Sequence, residues 1–117
     1  MDIEAVRKYC LTLPHATEGI QWGNNLLFRI GKKMFAIMAL DTSPVCISFK
    51  CTPEEFVELV EREGIVPAPY LARANWVMLE NLGVLPRAEL KRLIKNSYDM
   101  VAAKLPRKVR TELGIAG

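Results

Sequence analysis

Residues 26–50 run Leu-Leu-Phe-Arg-Ile-Gly-Lys-Lys-Met-Phe-Ala-Ile-Met-Ala-Leu-Asp-Thr-Ser-Pro-Val-Cys-Ile-Ser-Phe-Lys, and their reading decides the fold. Leu26 to Ile30 and Met34 to Leu40 are apolar runs of strand length, and Gly31-Lys32-Lys33 is the short glycine-containing connection that hairpins favour. The second arm is apolar on both sides, with Met34, Ala36, Met38 and Leu40 on one and Phe35, Ile37 and Ala39 on the other. Such a strand belongs at the centre of a sheet, with something covering its second face. Asp41-Thr42-Ser43-Pro44 is a further turn. From Val45 to Lys50 the pattern alternates, Val45, Ile47 and Phe49 against Cys46, Ser48 and Lys50, so that strand is wet on one side.

Toward the N-terminus, Gly23-Asn24-Asn25 supplies residues that tolerate positive φ, and Ala16 to Trp22 before it reads as a short first strand. Ile3, Val6, Cys10 and Leu13 recur at helical steps behind Asp2, an N-cap residue, and Pro14 ends that helix. Toward the C-terminus, Thr52-Pro53-Glu54-Glu55 combines a capping threonine, proline at the first helical position and glutamate at the third. The helix it opens buries Phe56, Leu59 and Val60, turns its glutamates to solvent and stops at Gly64. Pro67 and Pro69 then impose a stiff extended lead-in, past Tyr70 and Arg73, to a strand at Asn75-Trp76-Val77-Met78-Leu79. The longest helix lies between Pro86 and Leu105, with Leu90, Leu93, Ile94, Ser97, Tyr98 and Val101 on one side. Pro106 breaks it, and Arg107 to Leu113 adds a last helical turn. The order is α, a meander of three to four strands, α, a strand, and α. That order predicts an α+β domain, a two-layer sandwich with an antiparallel sheet and helices on one face.

At 117 residues, 50% hydrophobic and 25% charged, the chain has the size and composition of one globular domain, residues 1–117. No apolar run approaches the ~20 residues a membrane helix needs. The acidic start, Met1-Asp2-Ile3-Glu4, is unlike a secretory leader, and three cysteines without a Cys-x-x-Cys spacing fit a reducing cytoplasm. The net charge of +3 is unevenly placed. Eight lysines and arginines stand against three acidic residues from Pro86 onward, a net of +5, which leaves −2 for the rest. A polarity of this kind steers anionic partners and also serves simple solubility.

Reactive constellations are missing. His15 is the lone histidine, with no nucleophile at a recommending spacing, and Cys10, Cys46 and Cys51 read as core or strand residues. Neither a zinc ligand set nor a phosphate-binding glycine loop is present, so the expectation is no catalytic residue, no metal and no cofactor. Basic and aromatic groups carry more. Lys32 and Lys33 occupy a hairpin tip, Arg73 precedes Trp76, and Lys104, Arg107, Lys108 and Arg110 flank Pro106. These are parts that neutralise phosphates, with Tyr70 or Trp76 available for stacking. The ordinary reading of the same residues is surface charge and a core tryptophan.

The motif order resembles the MmcQ/YjbR family over almost the whole chain. The resemblance rests on Ala16-Thr17-Glu18 with Trp22, on the stretch from Leu27 to Ala36, and on Ile47-Ser48-Phe49-Lys50 with Pro53-Glu54. Pro67-Ala68-Pro69-Tyr70 with Trp76-Val77, and Ser97-Tyr98 before Leu105-Pro106-Arg107-Lys108, complete it. It implies a fold similar to type III secretion chaperones, a small cytoplasmic bacterial protein, and a DNA-binding role without catalytic residues. Lys32, Lys33, Arg73 and Trp76, with Lys108, fall at the family's basic and aromatic positions, whereas Arg29 and Ala74 depart from it. Two functional expectations follow. The first is a non-enzymatic module that contacts DNA phosphates, without sequence readout, through Lys32, Lys33, Arg73, Lys104, Arg107 and Lys108. The second is a protein-interaction domain or homodimer that uses the open sheet face, where Met34, Met38 and Met78 give an adaptable surface.

Overall fold

The computed structural model describes residues 1–115. Four α-helices are α1 (Ile3–Thr12), α2 (Pro53–Leu59), α3 (Arg87–Ala103) and α4 (Arg107–Leu113). Six strands are β1 (Thr17–Gln21), β2 (Asn25–Ile30), β3 (Lys33–Ala39), β4 (Cys46–Lys50), β5 (Ile65–Pro67) and β6 (Trp76–Leu79). They form one antiparallel sheet in the order β1-β2-β3-β4-β6-β5. The expected α+β architecture holds, with one strand more than the sequence reading counted. The stiff lead-in at Ile65–Pro67 is itself a strand, hydrogen-bonded along β6 at the edge of the sheet, where the missing N–H of Pro67 costs no ladder bond.

One core holds the two layers together. Val6 and Cys10 of α1, Leu59 of α2 and Leu90, Leu93, Ile94 and Tyr98 of α3 bury their side chains with Phe28, Ala36, Met38, Ile47, Phe49, Val77 and Leu79 of the sheet. The caps behave as their residues dictate. Asp2 accepts from the Ala5 N–H, and Thr52 and Glu55 form the reciprocal capping box at the start of α2. Across the layers, Arg7 on α1 grips Glu18 on β1 with Nε and Nη2 at 2.7 and 2.6 Å from the carboxylate oxygens. That bidentate hydrogen bond, reinforced by the guanidinium charge, holds the Glu18 carboxyl below its ordinary range. A carboxylate with a depressed folded-state pKa contributes stability above its ordinary pKa and loses it as pH falls through the lowered value. Glu18→Gln is therefore expected to lower Tm at pH 7 and to match the parent at about pH 2, where both carry a neutral side chain.

Two details of the β2–β3 hairpin differ from the sequence reading. The turn has two residues rather than three: Gly31 and Lys32 both have positive φ, 55° and 71°, and Lys33 already pairs with Ile30. This is the mirror-image turn whose twist matches the strands. The ladder also slips at Phe28/Arg29, where Phe28 faces Ala36 and Arg29 faces Met34, so that Phe35 is the extra residue of a β-bulge. The bulge breaks the parity of β3. Phe35 and Ala36 are both buried on the helix side, and Met34 moves to the opposite face with Ile37 and Ala39. Met38 stays in the core, so of the three methionines expected on the open face only Met34 and Met78 are there.

Candidate nucleic-acid interface

The register fixes which loops share an end of the sheet. β2 finishes and β3 starts at the Gly31-Lys32 turn, β4 finishes at Lys50, and β6 starts at Trp76 opposite Lys50. Helix α3 arrives at the same end, because the Ser97 hydroxyl accepts from the Lys50 N–H at 3.0 Å and donates to the Phe35 carbonyl at 2.6 Å. Residues 35 and 50 would be the next pair of the β3–β4 register, so this hydroxyl stands in for a direct ladder bond. Immediately beyond lie Lys104, Leu105 and α4. A Cβ placed on Gly31 would come within 2.8 Å of Leu105 and 3.0 Å of Val109, which shows how closely the hairpin tip is seated on the α3–α4 junction.

These constraints gather the basic residues. Lys32 and Lys33 are exposed at the tip, and Arg107 and Lys108 are exposed on the first turn of α4, directly before the Val109 that packs under that tip. Lys50 extends its Nζ to the Ala74 carbonyl at 2.6 Å, next to exposed Arg73. Partial burial first, and the charge of Lys104 second, push the Lys50 amine below its ordinary pKa. Lys104, which caps the C-terminal end of α3, is thus close enough to Lys50 to act on its charge. Among the described residues, no ion pair involves Lys32, Lys33, Arg73, Lys104, Arg107 or Lys108, whereas Arg7, Arg62, Arg92 and Lys95 each have a carboxylate partner. These six cations at the end of the sheet thus have no ion-pair partner among the described residues.

One candidate is corrected. Trp76 is 4% exposed, so its indole gives no stacking platform. Paired with Lys50 and followed by core-facing Val77, it points to the side of the sheet away from the helices. There the stretch from Ala68 to Asn75 closes over itself by Leu71 N–H to Ala68, Ala74 N–H to Leu71 and Asn75 N–H to Ala72 carbonyl bonds. The residue that sequence reasoning missed is Lys50. Its signal was its place as the last wet-face position of an alternating strand.

Elsewhere the chemistry is quiet. Cys10 and Cys51 are buried, and burial pushes their thiols up to about 12 and about 11. Cys46 is half-buried, with Sγ 3.5 Å from the Glu80 carbonyl. His15 is exposed in the α1–β1 connection. Among the described residues no group of three or more His, Cys, Asp or Glu side chains is placed to hold a metal, and no helix is long and apolar enough to cross a membrane.

Known proteins resemble the chain in sequence and in architecture. The chain is 25% identical over 114 residues, 94% of its own length and 95% of the relative's, to the uncharacterised protein YjbR of Escherichia coli K12. It superposes on the crystal structure of the Deinococcus radiodurans protein DR2400 with a TM-score of 0.86 at 29% identity, covering 97% of this chain and 88% of that one. A Pseudomonas syringae protein gives a TM-score of 0.73 over 86% of this chain and 99% of its own, at 20% identity, which speaks to the fold alone. The family model YjbR matches residues 11–100, and the chain belongs to the YjbR family.

Proposed function

We propose that this protein is a non-enzymatic module that binds duplex DNA through the phosphate backbone, using the cationic end of its sheet. The observation that supports the reading most is that residues far apart in sequence, Lys32, Lys33, Lys50, Arg73, Lys104, Arg107 and Lys108, are carried by elements meeting at one end and have no carboxylate ion-pair partner among the described residues. Unneutralised cations on rigid elements release condensed counter-ions when they meet phosphates, and that release drives binding without regard to base sequence. Trp76 is enclosed and offers no stacking platform, whereas Tyr70, three residues before Arg73, is fully exposed, so the duplex reading rests on the phosphate contacts. The bulge, the turn and the Ser97 bridge hold the backbone beneath these side chains in place, so the register of contacts is set by the fold.

Affinity for a 20-base-pair duplex is expected to fall by roughly three decades between 50 and 200 mM salt if about six phosphates are contacted. Lys32→Glu with Lys33→Glu should weaken binding at 100 mM salt by roughly one to two decades and flatten the dependence of log K on log salt by about 2. Fluorescence anisotropy across a salt series reads both. Equal affinity and slope in the double variant would count against the proposal.

A further inference from the structure

The face of the sheet away from the helices carries a recess that the cationic end does not use. Its floor is built from β3, β4 and β6, with Met34, Ile37, Ser48 and Met78 on it, and it encloses about 550 Å³. That volume lies within the usual range for small-molecule sites. Trp22, in the β1–β2 turn, and Tyr70, in the stretch after β5, line it as well. Given the strand order, the first approaches from the β1–β2 side of the floor and the second from the β5–β6 side.

Both rings are presented at a conformational cost. Trp22 has φ 52° and is 65% exposed, and Tyr70 has φ 66° and is fully exposed. Left-handed backbone is unfavourable for bulky side chains, and glycine or asparagine would fill either turn with less strain. Tyr70 follows Pro69 in the turn closed by the Leu71 N–H to Ala68 carbonyl bond, at the position where such turns take glycine. Strain of this sort, at two places facing one recess, is typical of a ligand clamp.

The lining also selects the ligand. None of its residues is charged, in a chain that is 25% charged, so an ion placed there would lose hydration without a partner. An extended peptide fits poorly, because the floor strands have already paired their backbone groups with one another and would leave the peptide's amides unsatisfied. A second copy would need about 800 Å² from each side, well beyond a recess of this size, and sedimentation reads that outcome. We propose that this recess binds an uncharged, flat, largely apolar small molecule between the Trp22 and Tyr70 rings, with the Ser48 hydroxyl as its polar contact.

The test uses N-phenyl-1-naphthylamine, a neutral fluorescent probe, with the full chain. Saturable one-to-one enhancement is expected, with quenching of the exposed Trp22 emission that disappears in Trp22→Phe. Tyr70→Ala, at a fully exposed side chain, should weaken binding roughly fivefold, and Ile37→Arg should abolish it while circular dichroism stays unchanged. Lys32→Glu with Lys33→Glu should bind the probe as the parent does, which separates this site from the DNA reading. Non-saturable partitioning, or probe binding indifferent to both Tyr70→Ala and Trp22→Phe, would overturn the proposal. So would a dimer in sedimentation from which the probe is excluded.

Discussion

Ser97→Ala is expected to destabilise the protein by about 2–4 kcal/mol, read as a shift of the urea midpoint without a change in slope. Ser97 is completely buried, and among the described residues its hydroxyl is the side-chain hydrogen-bonding group that joins α3 to both Phe35 of β3 and Lys50 of β4. Removing it leaves the Phe35 carbonyl and the Lys50 N–H without this partner in a place that admits little water. Each buried orphan costs about 1–3 kcal/mol, more than the net value of a hydrogen bond, because desolvation is no longer offset. The change in volume is one oxygen, so a cavity term adds little. The same substitution loosens the backbone under Lys50, so the proposed DNA binding should weaken with stability although no charge has been removed. A midpoint unchanged within error would show that the hydroxyl is not what joins the sheet to α3.

The second large effect is expected at Gly31, where alanine should cost about 2–4 kcal/mol. Two terms add. At φ 55° a Cβ brings left-handed strain of about 1 kcal/mol. It also meets Leu105 at 2.8 Å and Val109 at 3.0 Å. Leu105 is itself buried, so its methyls have no free space to retreat into, and overpacking of this kind typically costs about 1–3 kcal/mol. Gly114 isolates the first term, since its φ is 71° and a Cβ there would meet nothing within 4 Å. Gly114→Ala should therefore cost only about 1 kcal/mol. Thermal unfolding of the two variants side by side measures the difference. Equal losses would mean that the hairpin tip is not packed tightly on the α3–α4 junction, and the gathering of Lys32, Lys33 and Lys108 would lose its structural cause.

The parts of the fold that follow from local chemistry were legible in the sequence. The capping box at Thr52, the prolines that bound α1 and α3, and the alternation in β4 each report on neighbours only a few residues away. What escaped depends on partners distant in the chain. The bulge at Phe35 comes from the fit of β3 between β2, β4 and α3, and it alone moves Met34 to the outer face while leaving Met38 inside. Strand β5 has three residues and a proline, too short for a periodic signal, and exists because β6 offers it a free edge. Trp76 looked like a recognition residue because prolines and Arg73 precede it. Its burial follows from the way the Ala68–Asn75 stretch folds back, which no spacing announces. The individual basic positions were readable, but their convergence needed the register of the sheet, and so did the part played by Lys50.

The most direct test of the cationic-end account is amide chemical-shift mapping of the labelled protein with a 20-base-pair duplex at low salt. The account predicts perturbations confined to Gly31–Lys33, Lys50, Arg73–Asn75 and Lys104–Lys108, fading together as salt is raised. Perturbations centred on the opposite end of the sheet, at the 22–25 and 41–45 turns, or none at low salt, would contradict it.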